Sequence, residues 1–178
     1  MQNKILVTYA TFAGSTFEVA EFIAQTLRNA NTHVDVLPME KVTDLAPYQA
    51  VVAGSAVRAG KFHPQTIKFL KSQQEALDHV PVAYFVVCLT MMEDTEDNRA
   101  TVSGYVEALR KEVPLIEPVD VGLFGGALNY SKLAFPLKWM FKLAKTHEGD
   151  YRDWDAIRTW ATALQPKLML ARVTGIAN

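Results

Sequence analysis

At 178 residues with 49% hydrophobic content, the chain is expected to form one domain over 1–178 with a full core. Its 18 Lys and Arg balance 19 Asp and Glu to a formal net charge of −1, which argues against a nucleic-acid binder and against a strongly acidic surface. One cysteine, no Cys/His metal spacing, no signal-peptide start and no apolar run near the roughly 18 residues of a membrane span argue against disulfides, a metal centre and a spanning helix, with a reducing cytoplasm as the expected location.

The apolar run Lys4 to Tyr9 predicts a first strand over 4–9, and Val19, Ile23 and Leu27 have helical spacing. Between them lies Thr11-Phe12-Ala13-Gly14-Ser15-Thr16. A strand that breaks into hydroxyls and one glycine and then opens a helix is a phosphate cradle. Amides at the helix start lack intrahelical partners, and with the hydroxyls of Thr11, Ser15 and Thr16 they can wrap a phosphate monoester. No lysine precedes Ser15-Thr16, which removes a P-loop triphosphate site, and a single glycine in place of G-x-G-x-x-G removes the usual dinucleotide fingerprint. A mononucleotide such as FMN fits what remains. The alternative is an ordinary strand-to-helix turn capped by Ser15 or Thr16.

Further strands are expected over 33–38, 50–55, 81–89 and 119–125. Runs such as Ala50-Val51-Val52-Ala53 and Val82 to Val87 are continuously apolar, as strands buried on two faces must be. Pro64 can start a helix carrying Ile67, Leu70 and Leu77, and Val102, Tyr105, Val106, Leu109 and Val113 mark another. Strands alternating with helices predict an α/β fold with a parallel sheet covered on both faces. Ligands of open α/β sheets bind at the strand-to-helix loops of one edge.

Two more of those loops carry chemistry. In the loop after the third strand, Ser55, Ala56, Val57 and two glycines, Gly54 and Gly60, let backbone approach a flat ring. Arg58 and Lys61 can stabilise negative charge on a reduced flavin or on substrate carboxylates, or can be two surface cations. The next loop, Cys88-Leu89-Thr90-Met91-Met92, can cover the ring with amides and thioethers, although methionines also serve as core filler. His63 is the histidine nearest the expected ring and can instead open the helix at Pro64, so no catalytic side chain is assigned. Cys88 reads as a small buried hydrophobe, and His33 and His79 fall at the opposite edge.

Residues 131–147 follow the fifth strand. Pro136 can occupy a first helical position, and a 3.6-residue period groups Lys138, Lys142 and Lys145 on one narrow face. Leu137, Trp139, Met140, Phe141, Leu143 and Ala144 cover about 200° of arc, more than the roughly 100° that packing on one sheet needs. Such a segment suits a lipid interface, a wall of a pocket for a large flat substrate or a quinone, or packing against its own domain and a symmetric partner. A last helix is expected after Asp153 as N-cap, burying Ile157, Trp160, Ala161 and Leu164, with 171–178 as a frayed tail.

The cradle from Tyr9 to Thr16 resembles the phosphate loop of the flavodoxins. The stretch Gly54 to His63 resembles the second loop of one branch, the menaquinone-dependent protoporphyrinogen IX dehydrogenases and their flavodoxin-domain relatives. Similarity continues through Phe124-Gly125-Gly126-Ala127-Leu128-Asn129-Tyr130 and on to Trp154. The resemblance implies a three-layer flavodoxin-like sandwich, a five-stranded parallel sheet in the order 2-1-3-4-5, and FMN bound by Thr11 to Thr16, Ser55 to Arg58, Gly60, Leu89, Thr90 and Met91. It further implies an FMN-dependent dehydrogenase, acting on a reduced porphyrin or similar apolar substrate with a quinone acceptor; the segment 131–147 adds the expectation of a peripheral contact on the inner face of the cell membrane. The alternative is an electron-transfer flavodoxin. Phe12-Ala13 replaces the polar pair common in flavodoxins, so that part of the cradle is expected to contribute amides only.

Overall fold

The apolar runs become one parallel sheet in the computed structural model of the chain, which describes residues 3–29, 31–132, 135–143 and 147–174. In chain order the elements are β1 (Asn3–Ala10), α1 (Ser15–Leu27), β2 (Thr32–Pro38), β3 (Ala50–Arg58), β4 (Lys61–Phe62), α2 (Pro64–Asp78), β5 (Val82–Cys88), α3 (Glu96–Glu112), β6 (Asp120–Gly125), β7 (Ala127–Leu128), α4 (Phe135–Leu143), β8 (Gly149–Asp150) and α5 (Trp154–Thr174). The five main strands lie parallel in the order β2-β1-β3-β5-β6, which is 2-1-3-4-5 counted along the main strands. Two short ladders add to them. The strand β4 folds back antiparallel on the end of β3, which lengthens β3 past the expected 50–55, and β7 pairs antiparallel with β8.

Successive strand residues point to opposite faces, and each face meets its own pair of helices. Ile5, Val7, Val52, Phe85 and Val87 pack with Val19, Ile23 and Leu27 of α1 and Ile157, Ala161 and Leu164 of α5. Leu6, Val51, Tyr84 and Val86 pack with Leu70 and Leu77 of α2 and Val102, Val106 and Leu109 of α3. Both faces are therefore core, which is why these strands show no polar alternation. The N-cap of α5 is as expected: Asp153 Oδ1 accepts from the Ala156 amide at 2.9 Å. The frayed tail needs correction, because α5 continues through Thr174. No glycine interrupts its pattern before Gly175, and 175–178 lie outside the described residues.

Between β7 and β8 the chain makes an excursion whose root is fixed by the pairs Ala127↔Asp150 and Leu128↔Gly149. Its helix α4 presents Phe135, Trp139 and Leu143, spaced four apart, at 78%, 63% and 76% exposure. Lys142 is exposed and Lys138 half-buried. The expected roles of the Leu137, Met140 and Phe141 side chains, and of Ala144 and Lys145, lie outside the described residues. Among the described residues, no helix is long and apolar enough to cross a membrane, and no group of three or more His, Cys, Asp or Glu can hold a metal ion.

Candidate functional site

The turn from β1 into α1 shows how a helix end is left open to an anion. Gly14 occupies the N-cap at φ 97°, a left-handed backbone that suits glycine and brings no side chain to cap the helix. Its own amide is taken by Thr11 Oγ1 at 2.9 Å. The first helical bond runs from the Glu18 amide to the Gly14 carbonyl at 3.2 Å, so the amides of Ser15, Thr16 and Phe17 precede it and have no intrahelical acceptor. Thr16 is fully buried, and its hydroxyl lacks a partner. Side chains on a helix lean toward its N-terminus, which carries the Thr16 hydroxyl toward the same open end. A buried hydroxyl left unpaired costs about 1–3 kcal/mol unless a ligand satisfies it. Ser15 and Thr16 do not cap the helix with their side chains.

Beside this end opens a cavity of about 480 Å³, lined by Phe12, Ala13 and Ser15 of the cradle, residues 56–60 of the β3–β4 hairpin, residues 87–90 after β5, Tyr105 of α3, and residues 126–128. Mostly apolar walls, with one cation among them and an uncapped helix start beside them, fit a flat ring on a phosphorylated chain. Arg58 lies 4.0 Å over the Phe12 ring, and Phe12 lies 4.3 Å from the His63 ring. Burial lowers the Arg58 pKa, yet a guanidinium stays charged. Burial, then the charge of Arg58, lowers the pKa of His63, whose Nδ1 accepts from the Gln65 amide at 3.2 Å as the cap of α2. His63 is thus a neutral helix cap. Cys88 is 4% exposed, and burial pushes its thiol up, so it holds no reactive thiolate.

A second cavity, also about 480 Å³, adjoins the cradle through Ala13 and Ser15 and is rimmed by Glu18, Glu148, Asp150 and Arg152. Arg152 is 8% exposed and bonds Glu18 of α1 at 2.5 Å and Asp150 of β8 at 2.6 Å. Its hydrogen bonds hold the Asp150 carboxyl below the usual carboxylate range. Both carboxylates are nearly half exposed, so the pairs add little stability; their effect is to fix the root of the excursion against the helix that forms the cradle. Arg152 also offsets the charge of Glu18 beside the open start of α1.

Of the residues read from sequence, Phe12, Ala13, Ser15, Ala56, Val57, Arg58, Gly60, Leu89 and Thr90 line the ring cavity together. Thr11, Gly14 and Thr16 shape the cradle behind it. Ser55 is 2% exposed and turned inward, where its oxygen accepts from Thr66 Oγ1 at 2.8 Å and pins α2 to β3. Met91 is 4% exposed, packs in the core, and borders a separate groove along β6. Tyr105, Gly126, Ala127 and Leu128 line the cavity although sequence reasoning did not single them out as site residues. His33 and His79 lie at the start of β2 and the end of α2, away from these loops.

Comparison with known proteins agrees with this fold. The family model described as flavodoxin domain matches residues 6–155. The protoporphyrinogen IX dehydrogenase (quinone) of Escherichia coli strain K12 is 24% identical over 169 residues, covering 89% of this chain and 92% of that protein. Oxidised flavodoxin 2 from Bacillus cereus superposes with a TM-score of 0.60 at 20% identity, covering 92% of this chain and 99% of that one. A flavodoxin from the domain Archaea gives 0.57 at 16% identity, with 93% and 99% covered. These structures share the three-layer fold. A family model that spans most of the sequence, together with an open helix end beside an apolar ring cavity, establishes that the chain belongs to the flavodoxin domain family, with FMN as its cofactor.

Proposed function

We propose that this protein is an FMN-dependent dehydrogenase that oxidises a reduced porphyrin or a similarly flat apolar substrate and passes the electrons to a quinone. The observation that carries the reading is the wall formed by Gly126, Ala127 and Leu128, by which the root of the excursion lines the ring cavity. The E. coli relative, named for protoporphyrinogen and quinone, supports the same substrate classes. In this reading Thr11, Ser15 and Thr16 hold the phosphate of FMN at the turn that Gly14 shapes, and Val57, Arg58, Gly60, Leu89 and Thr90 hold its ring. Bound FMN supplies a hydride acceptor that also releases electrons to a second substrate. The chain orients both partners against it, excludes water with apolar walls, and keeps the charge of Arg58 at the rim, where it favours anionic reduced species.

An electron-transfer flavodoxin is the second reading, supported by the fold shared with solved flavodoxins. Near-zero net charge weighs against it, because carriers that dock on basic partners need a concentrated acidic face. Purified holoprotein given protoporphyrinogen IX and a menaquinone analogue is expected to couple porphyrin formation to quinone reduction. No turnover, combined with fast reduction by a ferredoxin reductase, would assign it to the carriers.

The exposed stripe Phe135, Trp139 and Leu143, flanked by Lys138 and Lys142, suits the surface of an anionic bilayer, where both proposed substrates would dissolve. Holoprotein is expected to co-sediment with vesicles containing anionic lipid and to lose most of that binding in Trp139→Ser. Unchanged binding in the variant contradicts the contact, as does a concentration-dependent dimer that covers the stripe.

A further inference from the structure

A third cavity, about 620 Å³, lies in the groove between α2 and α3 and begins where the ring cavity ends. Gly60 and Tyr105 line both spaces. From that shared doorway the trough runs over Phe62, Pro64, Ile67, Ala108 and Leu109, with Lys61 and Lys68 exposed along its rim. The stems of such lysines cover apolar surface while their ammonium groups stay in water. At the far end, Glu112 is occupied by an ion pair with Lys71 at 2.7 Å. The trough thus offers an apolar floor and few polar groups that a ligand would have to satisfy.

We propose that this trough receives the prenyl tail of the quinone acceptor, whose head group enters the ring cavity past Gly60 and Tyr105. The proposal rests on the quinone reading given above. A quinone head must reach the cofactor ring to take electrons, but a cavity of about 480 Å³ that also holds that ring cannot enclose a long tail. The tail therefore leaves along an apolar path. Another space adjoining the site is rimmed by Glu18, Glu148, Asp150 and Arg152, and burying hydrocarbon against those groups strips them of water without compensation. The trough between α2 and α3 carries less of that cost, because Lys61 and Lys68 stay exposed at its rim and Glu112 is paired at its far end.

Ala108 is exposed on α3, at the wall of the trough and outside the ring cavity, so Ala108→Phe narrows the path and leaves the cofactor walls intact. The test compares kcat/KM of holoprotein for a menaquinone bearing several isoprene units with that for the tail-less naphthoquinone. The unaltered protein is expected to prefer the prenylated acceptor. Ala108→Phe should lose about tenfold or more on the prenylated quinone, with the tail-less one unchanged. Ala108→Glu should do the same by placing a charge where the tail lies. Equal losses on both quinones, no loss on either, or a change confined to the KM of the porphyrinogen would overturn the assignment. Failure of the unaltered protein to reduce either quinone would sink the acceptor reading itself, and the trough with it.

Discussion

Thr16→Val is expected to weaken FMN binding by about 10- to 150-fold while leaving the apoprotein as stable as before or more so. Threonine and valine have nearly the same shape, so the substitution removes one hydroxyl and little else. In the apoprotein that hydroxyl is buried without a partner, and deleting it removes a desolvation cost of about 1 kcal/mol or more. With FMN bound, the same hydroxyl can donate to a phosphate oxygen, and hydrogen bonds to charged groups contribute roughly 1.5–3 kcal/mol. At about 1.4 kcal/mol per decade this gives the stated loss of affinity. Fluorescence titration measures the affinity, and urea unfolding of the apoprotein measures the stability. Loss of stability with unchanged FMN affinity would make Thr16 a structural residue and remove it from the cradle.

The second large effect is expected at Gly125, where three segments crowd together. A Cβ there would fall 2.1 Å from the Tyr151 carbonyl oxygen and 2.9 Å from that of Met91. Both obstacles are backbone, so neither can rotate away. Gly125→Ala must separate the end of β6 from the turn after β5 and from the chain leaving β8. Forced overpacking of this kind costs about 1–3 kcal/mol or more, which for a chain of this size lowers Tm by roughly 2–12 °C. FMN affinity should fall as well, because the displaced segments lead into residues 89–90 and 126–128 of the ring cavity. Gly104 provides the contrast: nothing lies within 4 Å of its added Cβ, and it sits inside α3. Gly104→Ala is expected to raise stability by about 0.5–1 kcal/mol without altering FMN binding. Calorimetry on the two variants checks both signs, and a neutral Gly125→Ala would contradict the packing described for the end of β6.

The sheet was legible because its strands are buried on both faces. Residues such as Val51 and Val52 face opposite cores, so the whole run is apolar and stands out from the helices around it. The open start of α1 was legible because a strand-to-helix turn of this kind needs a glycine and hydroxyls at fixed offsets, all within Thr11 to Thr16. Other walls were not readable, because Tyr105 and residues 126–128 reach the cavity from elements distant in sequence. Ser55 has the residue type of a ligand contact, but whether its hydroxyl faces the cavity or Thr66 depends on where α2 packs. The ladder of β7 and β8 contributes two residues on each side, too few for any periodicity to register. Arg152 likewise gave no signal, since its partners Glu18 and Asp150 converge only once α1 and β8 are adjacent.

The most direct test of the cradle is a pair of dissociation constants for the apoprotein, one with FMN and one with riboflavin, which carries the same ring and side chain without the phosphate. Two or more charge-assisted bonds from the start of α1 and from Thr16 should contribute at least about 3 kcal/mol, so FMN is expected to bind roughly a hundredfold more tightly or better. Equal constants for the two compounds would contradict the assignment of the α1 terminus as the phosphate site.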